Sequence, residues 1–237
     1  NLGFDADDVK KAAGTADLKN HDVYLNVRYV LKRADGLLPS GTQVAYDQIL
    51  VNEAEMPAFA NASGLPEYMS DPDNASHTFA GDMNFEGAAG LRTSPWKAVF
   101  DARSGALVSY LLGEKQLIES PLMPCLARAA TENDLGARFD RRQEMWRSAQ
   151  FAVASFEVDK TDFCYRVSVG YAPIGDAAAV RIIYDIYADG TIAAKEEMTD
   201  AGKLSEAFML PRFGMQMAMP GSFDTFEFFG LGPHENY

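Results

Sequence analysis

The chain has 237 residues, 47% of them apolar and 23% charged, so it can bury a core and is not a disordered tail. Asp and Glu outnumber Lys and Arg by 34 to 21, and the resulting net charge of -13 repels phosphate backbones, which excludes general nucleic-acid binding. No apolar run approaches the ~18 residues of a membrane-spanning helix, and residues 1–20 lack the apolar stretch of a secretory leader.

Strand patterning dominates. Val23, Leu25, Val27, Tyr29 and Leu31 alternate with Tyr24, Asn26, Arg28 and Lys32, the two-residue period of a half-buried strand. The turn-rich ADGLLPSG follows, then TQVAYDQILV, with Val44, Tyr46 and Leu50 on one face. Two strands are too few to close an immunoglobulin-like sandwich of about seven, so residues 1–56 read as part of one. Residues 57–77, rich in Pro, Asn, Asp, Ser and Gly and aperiodic, read as a linker. They carry two glycosylation-type triplets at Asn61 and Asn74, a pattern frequent by chance in such loops.

A second β-domain is expected over residues 78–237. Trp96–Phe100, a turn at Asp101–Gly105 and Leu107–Leu112 form a hairpin. FAVASFEV, FCYRVSVGY, AAVRIIYDIYADGTIAAKEEM and FEFFG supply further strands, and residues 137–150 alone have helical character. The final Tyr237 follows a turn signal directly after a strand, so both ends read as cuts in a longer protein.

A self-contained active site is not legible. His21, His77 and His234 have no companion ligands at metal spacing, and Cys125 and Cys164 form no metal or redox motif. GxSxG, GxxxxGK[ST] and GxGxxG are all missing. Glu196 and Glu197 are neighbours expected on opposite faces of a strand, and each reads as a solvated surface acid. Two segments stand apart. In residues 121–138 an apolar run opens into Thr131-Glu132-Asn133-Asp134, then Leu135 and Gly136. There Gly136 reads as a hinge, and Asn133 and Asp134 read either as its fixed shoulder or as caps of the helix at 137–150. In residues 210–237, Met215, Met217 and Met219 read as one packed face of a strand, and Gly232-Pro233 as a turn bonded by Glu235 and Asn236.

These segments carry a resemblance. FEFFGLGPHENY resembles the W-x-G-x-G-P-x-E-N-Y signature of the glycoside hydrolase family 2 β-galactosidases, with Phe228 in place of Trp. ARAATENDLGAR resembles their R-A-P-T-D-N-D-x-G segment, with Ala130 for Pro and Glu132 for Asp. LPRFG matches L-P-R-I-G, and VYLNVRYVLKRADGLLPSGTQVAYDQILV resembles the last strands of their immunoglobulin-like domain. The matches fall in the family's order across most of the chain.

The resemblance implies an all-β fold: the end of the immunoglobulin-like fourth domain, then the first part of the fifth, small-chain domain, a supersandwich of the galactose-mutarotase-like class. It implies a longer parent enzyme that hydrolyses terminal β-D-galactosides with retention, using two Glu side chains about 5 Å apart. That pair sits on a (β/α)₈ barrel of about 250 residues with alternating helices, which this chain lacks. No catalytic residue is therefore expected here. Asn133, Asp134 and Gly136 would belong to a lid loop at the mouth of the sugar site. No cofactor is expected on this segment; Mg²⁺, and also Na⁺, would bind elsewhere in the parent, which would be a homo-oligomer with a β-galactoside as its partner. Two other readings use the same residues. A free-standing carbohydrate-binding module would display Trp96, Trp146, Tyr165, Tyr171, Tyr184 and Tyr187 on one sheet face, and an aldose 1-epimerase would need histidines where only His234 is available.

Overall fold

The structure is a computed structural model and describes residues 11, 22–53, 64–87, 90–207 and 209–225. The chain divides into two compact units, Asn1–Ala58 and Phe59–Tyr237. In the first, β1 (Val23–Val30) and β2 (Gln43–Asn52) pair antiparallel, with Val27 opposite Asp47. Both strands fall where the alternation places them, but the face expected to be half-buried is open: Val44, Tyr46 and Leu50 are all exposed. Among the described residues of this unit the two strands have no second layer to cover it.

The second unit is built on two antiparallel sheets. One has the order β3-β4-β5-β6-β7, from β3 (Glu67–Asp71), β4 (Ser76–Gly87), β5 (Gly90–Asp101), β6 (Ala106–Leu112) and β7 (Lys115–Gln116). The other has the order β12-β11-β10-β9, from β9 (Val153–Lys160), β10 (Cys164–Tyr171), β11 (Ala178–Tyr187) and β12 (Ile192–Asp200). A smaller ladder joins β8 (Ser120–Pro124) to β13 (Met215–Ala218). The predicted strands of residues 96–112 and 151–198 are all present.

Part of the expected linker is strand. Glu67–Asp71 forms β3, and β4 begins at Ser76, with Tyr68 opposite Phe79. As an edge strand β3 needs only one inward aromatic, so its polar remainder looks like loop composition. Tyr68 supplies it, stacking 5.0 Å from Phe79 and lying tilted 5.0 Å from Tyr165 of the facing sheet.

The core lies between the two sheets. Phe79, Trp96, Ala98 and Phe100 come from one, and Val167, Val169, Val180, Ile182, Tyr184 and Ile186 from the other. Phe100 meets Tyr184 edge-on at 5.0 Å, a geometry that suits the ring quadrupoles. Polar atoms at the rim also cross the layers: Trp96 Nε1 donates to Ala188 O at 3.2 Å, and the Tyr110 hydroxyl donates to Gly190 O. The β5–β6 turn is held by Asp101, whose carboxylate accepts from the backbone of Arg103 and Ser104 and from Ser104 Oγ at 2.7 Å. Gly105 closes it with φ +71, and a Cβ there would stand 2.4 Å from Val169 Cγ1.

The methionine face is a correction. β13 has a register shift between Gln216 and Ala218, which breaks the two-residue period. Met215 packs against the core, whereas Met217 and Met219 are exposed. FEFFG and GPHENY, including Glu235, Asn236 and His234, lie outside the described residues.

Candidate functional site

The segment that leaves β8 carries the Asn-Asp-x-Gly motif. Cys125 N extends the β8–β13 ladder by donating to Gly214 O at 2.6 Å, and Leu126 anchors the chain in the core. The backbone then emerges at Arg128 and turns into a one-turn helix, α1 (Glu132–Gly136). Thr131 caps it: Asp134 N donates to Thr131 Oγ1 at 3.2 Å, and Asp134 Oδ2 accepts from Thr131 N at 2.9 Å. That reciprocal pair is a capping box, available because Thr and Asp stand three apart. Asp134 does cap a helix, but the one it belongs to rather than one at 137–150.

A cation completes the arrangement. Arg128 Nη1 and Nη2 donate to Asp134 Oδ2 and Oδ1 at 2.6 and 3.2 Å, and Nη1 also donates to Ala129 O at 3.0 Å. The guanidinium's hydrogen bonds, followed by the Thr131 N–H, hold the Asp134 carboxyl below the usual carboxylate range. Asp134 is only 6% exposed, one of two buried polar residues among those described. Asn133 and Gly136 face outward, and Asn133 contributes its backbone oxygen to Ala137 N at 3.0 Å. The three predicted site residues therefore separate into one inward anchor and two exposed positions.

Gly136 itself is helical, and a Cβ there would meet nothing within 4 Å. The left-handed residue of the segment is Arg138, at φ +58. It ends α1 and starts two further short turns, α2 (Phe139–Arg142) and α3 (Glu144–Arg147). These replace the single helix expected over 137–150: Arg138, in the left-handed region, excludes its first residues, and Gln143, at φ -94 and ψ 7, leaves helical geometry and separates the two turns. Trp146 of α3 is driven into the core, and Phe151 beyond it packs edge-on against Tyr171 at 5.7 Å.

The two ends of this connection line one cleft of about 410 Å³. Met123, Cys125 and Leu126 contribute on the way out, Trp146, Arg147 and Phe151 on the way back, and Gln216 and Met217 from β13. Cys125 Sγ lies 3.5 Å from Gln216 Oε1 at its edge. An apolar floor with a few polar groups is the usual make-up of a ligand cleft. Among the described residues no group of three or more His, Cys, Asp or Glu is placed to hold a metal ion. Of the six aromatics a carbohydrate-binding module would display, Trp96, Trp146, Tyr171 and Tyr184 are buried, and Tyr165 and Tyr187 are half-buried, Tyr165 against Tyr68 and Phe79. His77 is tied to the Tyr68 hydroxyl at 2.8 Å as a packing group.

Sequence reasoning passed over Arg128 and Thr131, although the T-x-x-D spacing was there to be read. It also misplaced Glu196. Glu197 pairs with Lys195 at 2.7 Å on the surface, but both carboxyl oxygens of Glu196 are buried.

Residues 92–237 match the family described as the β-galactosidase small chain. Similar proteins include a β-galactosidase of Priestia megaterium, 31% identical over 202 residues that make up 84% of this chain and 18% of that protein. A β-galactosidase of Halalkalibacterium halodurans is 26% identical over 217 residues, 90% of this chain and 20% of that protein. One of Clostridium acetobutylicum is 28% identical over 160 residues, 66% of this chain and 17% of that protein. The chain thus spans about a fifth of the length of the curated relatives it matches. With more than half of its residues matched, from within β5 through the clamped turn at Arg128–Gly136 to Tyr237, the chain belongs to the β-galactosidase small-chain family.

Proposed function

We propose that this chain is the part of a retaining β-galactosidase that walls the sugar site and carries a loop at its mouth, while the catalytic carboxylate pair resides in another part of the longer protein. The observation that carries the reading is the small-chain match across residues 92–237, which takes in the whole Arg128–Gly136 turn. In that reading the parent hydrolyses terminal β-D-galactosides by double displacement between two carboxylates about 5 Å apart.

The chain's own residues then serve position rather than bond breaking. Asp134, held by Arg128 and Thr131, is the fixed shoulder of the loop. Asn133 is exposed on its outer side, and Gly136 is the residue at which the backbone swings. A glycine in helical geometry with open space around it has a second set of φ/ψ values open to it that any other residue reaches only with strain. The anchored side stays still while the far side moves.

The test is Gly136→Ala in the full-length protein, assayed with a chromogenic β-galactoside. Alanine fits the observed helical turn and should leave the fold unharmed or firmer, since it is favoured over Gly in a helix by about 1 kcal/mol. The reading expects a fall in kcat/KM on that intact fold; unchanged kinetics remove the hinge. The 237-residue chain alone should show no turnover, and hydrolysis by it would overturn the assignment of the catalytic pair to the rest of the protein.

A further inference from the structure

β11 and β12 pair with Ile182 opposite Glu196 and Val180 opposite Met198. Val180, Ile182, Tyr184 and Ile186 form the fully buried face of β11. Residues directly opposite on an antiparallel pair share a face, so Glu196 is directed into the core while Lys195 and Glu197 point away and pair with each other. Among the described residues neither carboxyl oxygen of Glu196 has a hydrogen-bond partner, and neither does the Tyr184 hydroxyl, one diagonal step away on the same face. The titratable groups that face Glu196 are Tyr171 of β10 and Tyr184 of β11, both of which feel its charge. The β5–β6 turn of the opposing sheet offers a backbone carbonyl, Ser104 O, already bonded by the Tyr171 hydroxyl at 3.4 Å.

An ionised carboxylate in such a place lacks the cation and the donors that make burial tolerable, whereas a neutral acid is far cheaper to bury. Desolvation accordingly pushes the Glu196 pKa up to about 7. Among the described residues β12 is an edge strand, bonded to β11 alone, so lifting it from the core is the short route by which the carboxylate could reach water. We propose that Glu196 is a proton-operated latch of the sandwich: it holds its proton while β12 is docked, and losing that proton loosens the β11–β12 edge.

The folded-state value lies above the ordinary glutamate value of 4.5, so the folded form binds the extra proton between pH 4.5 and about 7. The stabilisation is complete below pH 4.5, is lost as the pH rises through about 7, and stays constant above that. Hydrogen exchange followed by mass spectrometry on the full-length protein tests this in peptides covering residues 178–200. After correction for the intrinsic rate, the opening constant there should rise by up to about tenfold per pH unit between about pH 5 and 7 and then level off. Peptides from β4 and β5 should show no such slope. In Glu196→Gln, which keeps the shape but cannot ionise, the slope over 178–200 should vanish. A flat wild-type profile, or a slope that survives in Glu196→Gln, overturns the latch. Should the Gln variant not fold, the wild-type slope over 178–200 measured against β4 and β5 decides alone: present it supports the latch, absent it overturns it.

Discussion

Arg128 and Asp134 grip each other at two points, 2.6 and 3.2 Å, across the turn between them, and the same carboxylate closes the cap of α1 on Thr131. One buried acid thus ties the exit from the core to the first helical turn. Arg128 itself is 39% exposed in its side chain, so its value lies in the fork geometry and in satisfying Asp134, not in Coulomb attraction alone.

Removing the guanidinium should therefore act through order. Arg128→Ala leaves a buried carboxylate held by Thr131 alone, and residues 129–138 should become readily cleaved in limited proteolysis of the full-length protein. On the proposed role, kcat/KM should fall by roughly tenfold or more, since small misplacements near a reacting centre have effects of that size. Arg128→Lys should restore only part of both, because an ammonium cannot make the two-point contact. The pH response has the opposite sign to that of Glu196. Asp134 has a depressed pKa, so its contribution is present above the ordinary aspartate value of 3.8 and is lost as the pH falls below it. Proteolysis at pH 5 that matched the rate at pH 3 would contradict this.

Gly190, in the turn between β11 and β12, should tolerate no side chain. Its φ is +87, and a Cβ would stand 2.7 Å from Met83 Cε and 3.1 Å from the Trp96 ring. Left-handed strain and overpacking each contribute on the order of 1–3 kcal/mol. Gly190→Ala should thus destabilise the sandwich by about 2–5 kcal/mol, read as faster exchange in β4, β5 and β11 together. Gly202→Ala, at φ +120 but in open space, carries the backbone term alone and should be milder.

The strands of the second unit were legible because they obey the two-residue period: β11 alternates buried and half-exposed residues along its length. What failed did so where a local rule was overridden by packing. β3 looked like linker since one tyrosine suffices to fix an edge strand. The methionine series lost its period at the bulge in β13. The helix of 137–150 starts late because Arg138 is left-handed, and it splits at Gln143, whose ψ of 7 is not helical; no propensity scale would place either there. The Asn-Asp-x-Gly spacing pointed to a turn, and the structure has a capped helical turn at 131–136, but which side chain faces inward depends on Arg128, six residues earlier. Glu196 was the hardest to read: a carboxylate next to Glu197 and Lys195 looks like surface, and only the register with Ile182 turns it inward.

Tyr184 offers a check on that interior. Its hydroxyl is buried without a partner among the described residues, so the bare ring should serve as well. Tyr184→Phe should leave stability unchanged or raise it by about 1 kcal/mol, the release of an unsatisfied polar group, with exchange in β10 and β11 as the measure. A loss of more than about 1 kcal/mol would mean that the hydroxyl is bonded after all.

Trp146 links the core to the cleft. It projects from the short turn α3, is only 2% exposed, and forms part of the cleft floor with Met123 and Phe151. Turns this short have little helical stability of their own, so the indole is what seats residues 139–151. Trp146→Ala should destabilise that segment by about 3–5 kcal/mol, the range for deleting a large buried aromatic, and Trp146→Phe by less. The discriminating measurement is again local exchange. Residues 139–151 should open well before β4 and β5 in the alanine variant, because the β-sandwich core keeps Phe79, Trp96 and Phe100. Uniform loss of protection across both sheets would instead make Trp146 a keystone of the whole unit and deny the connection its independence.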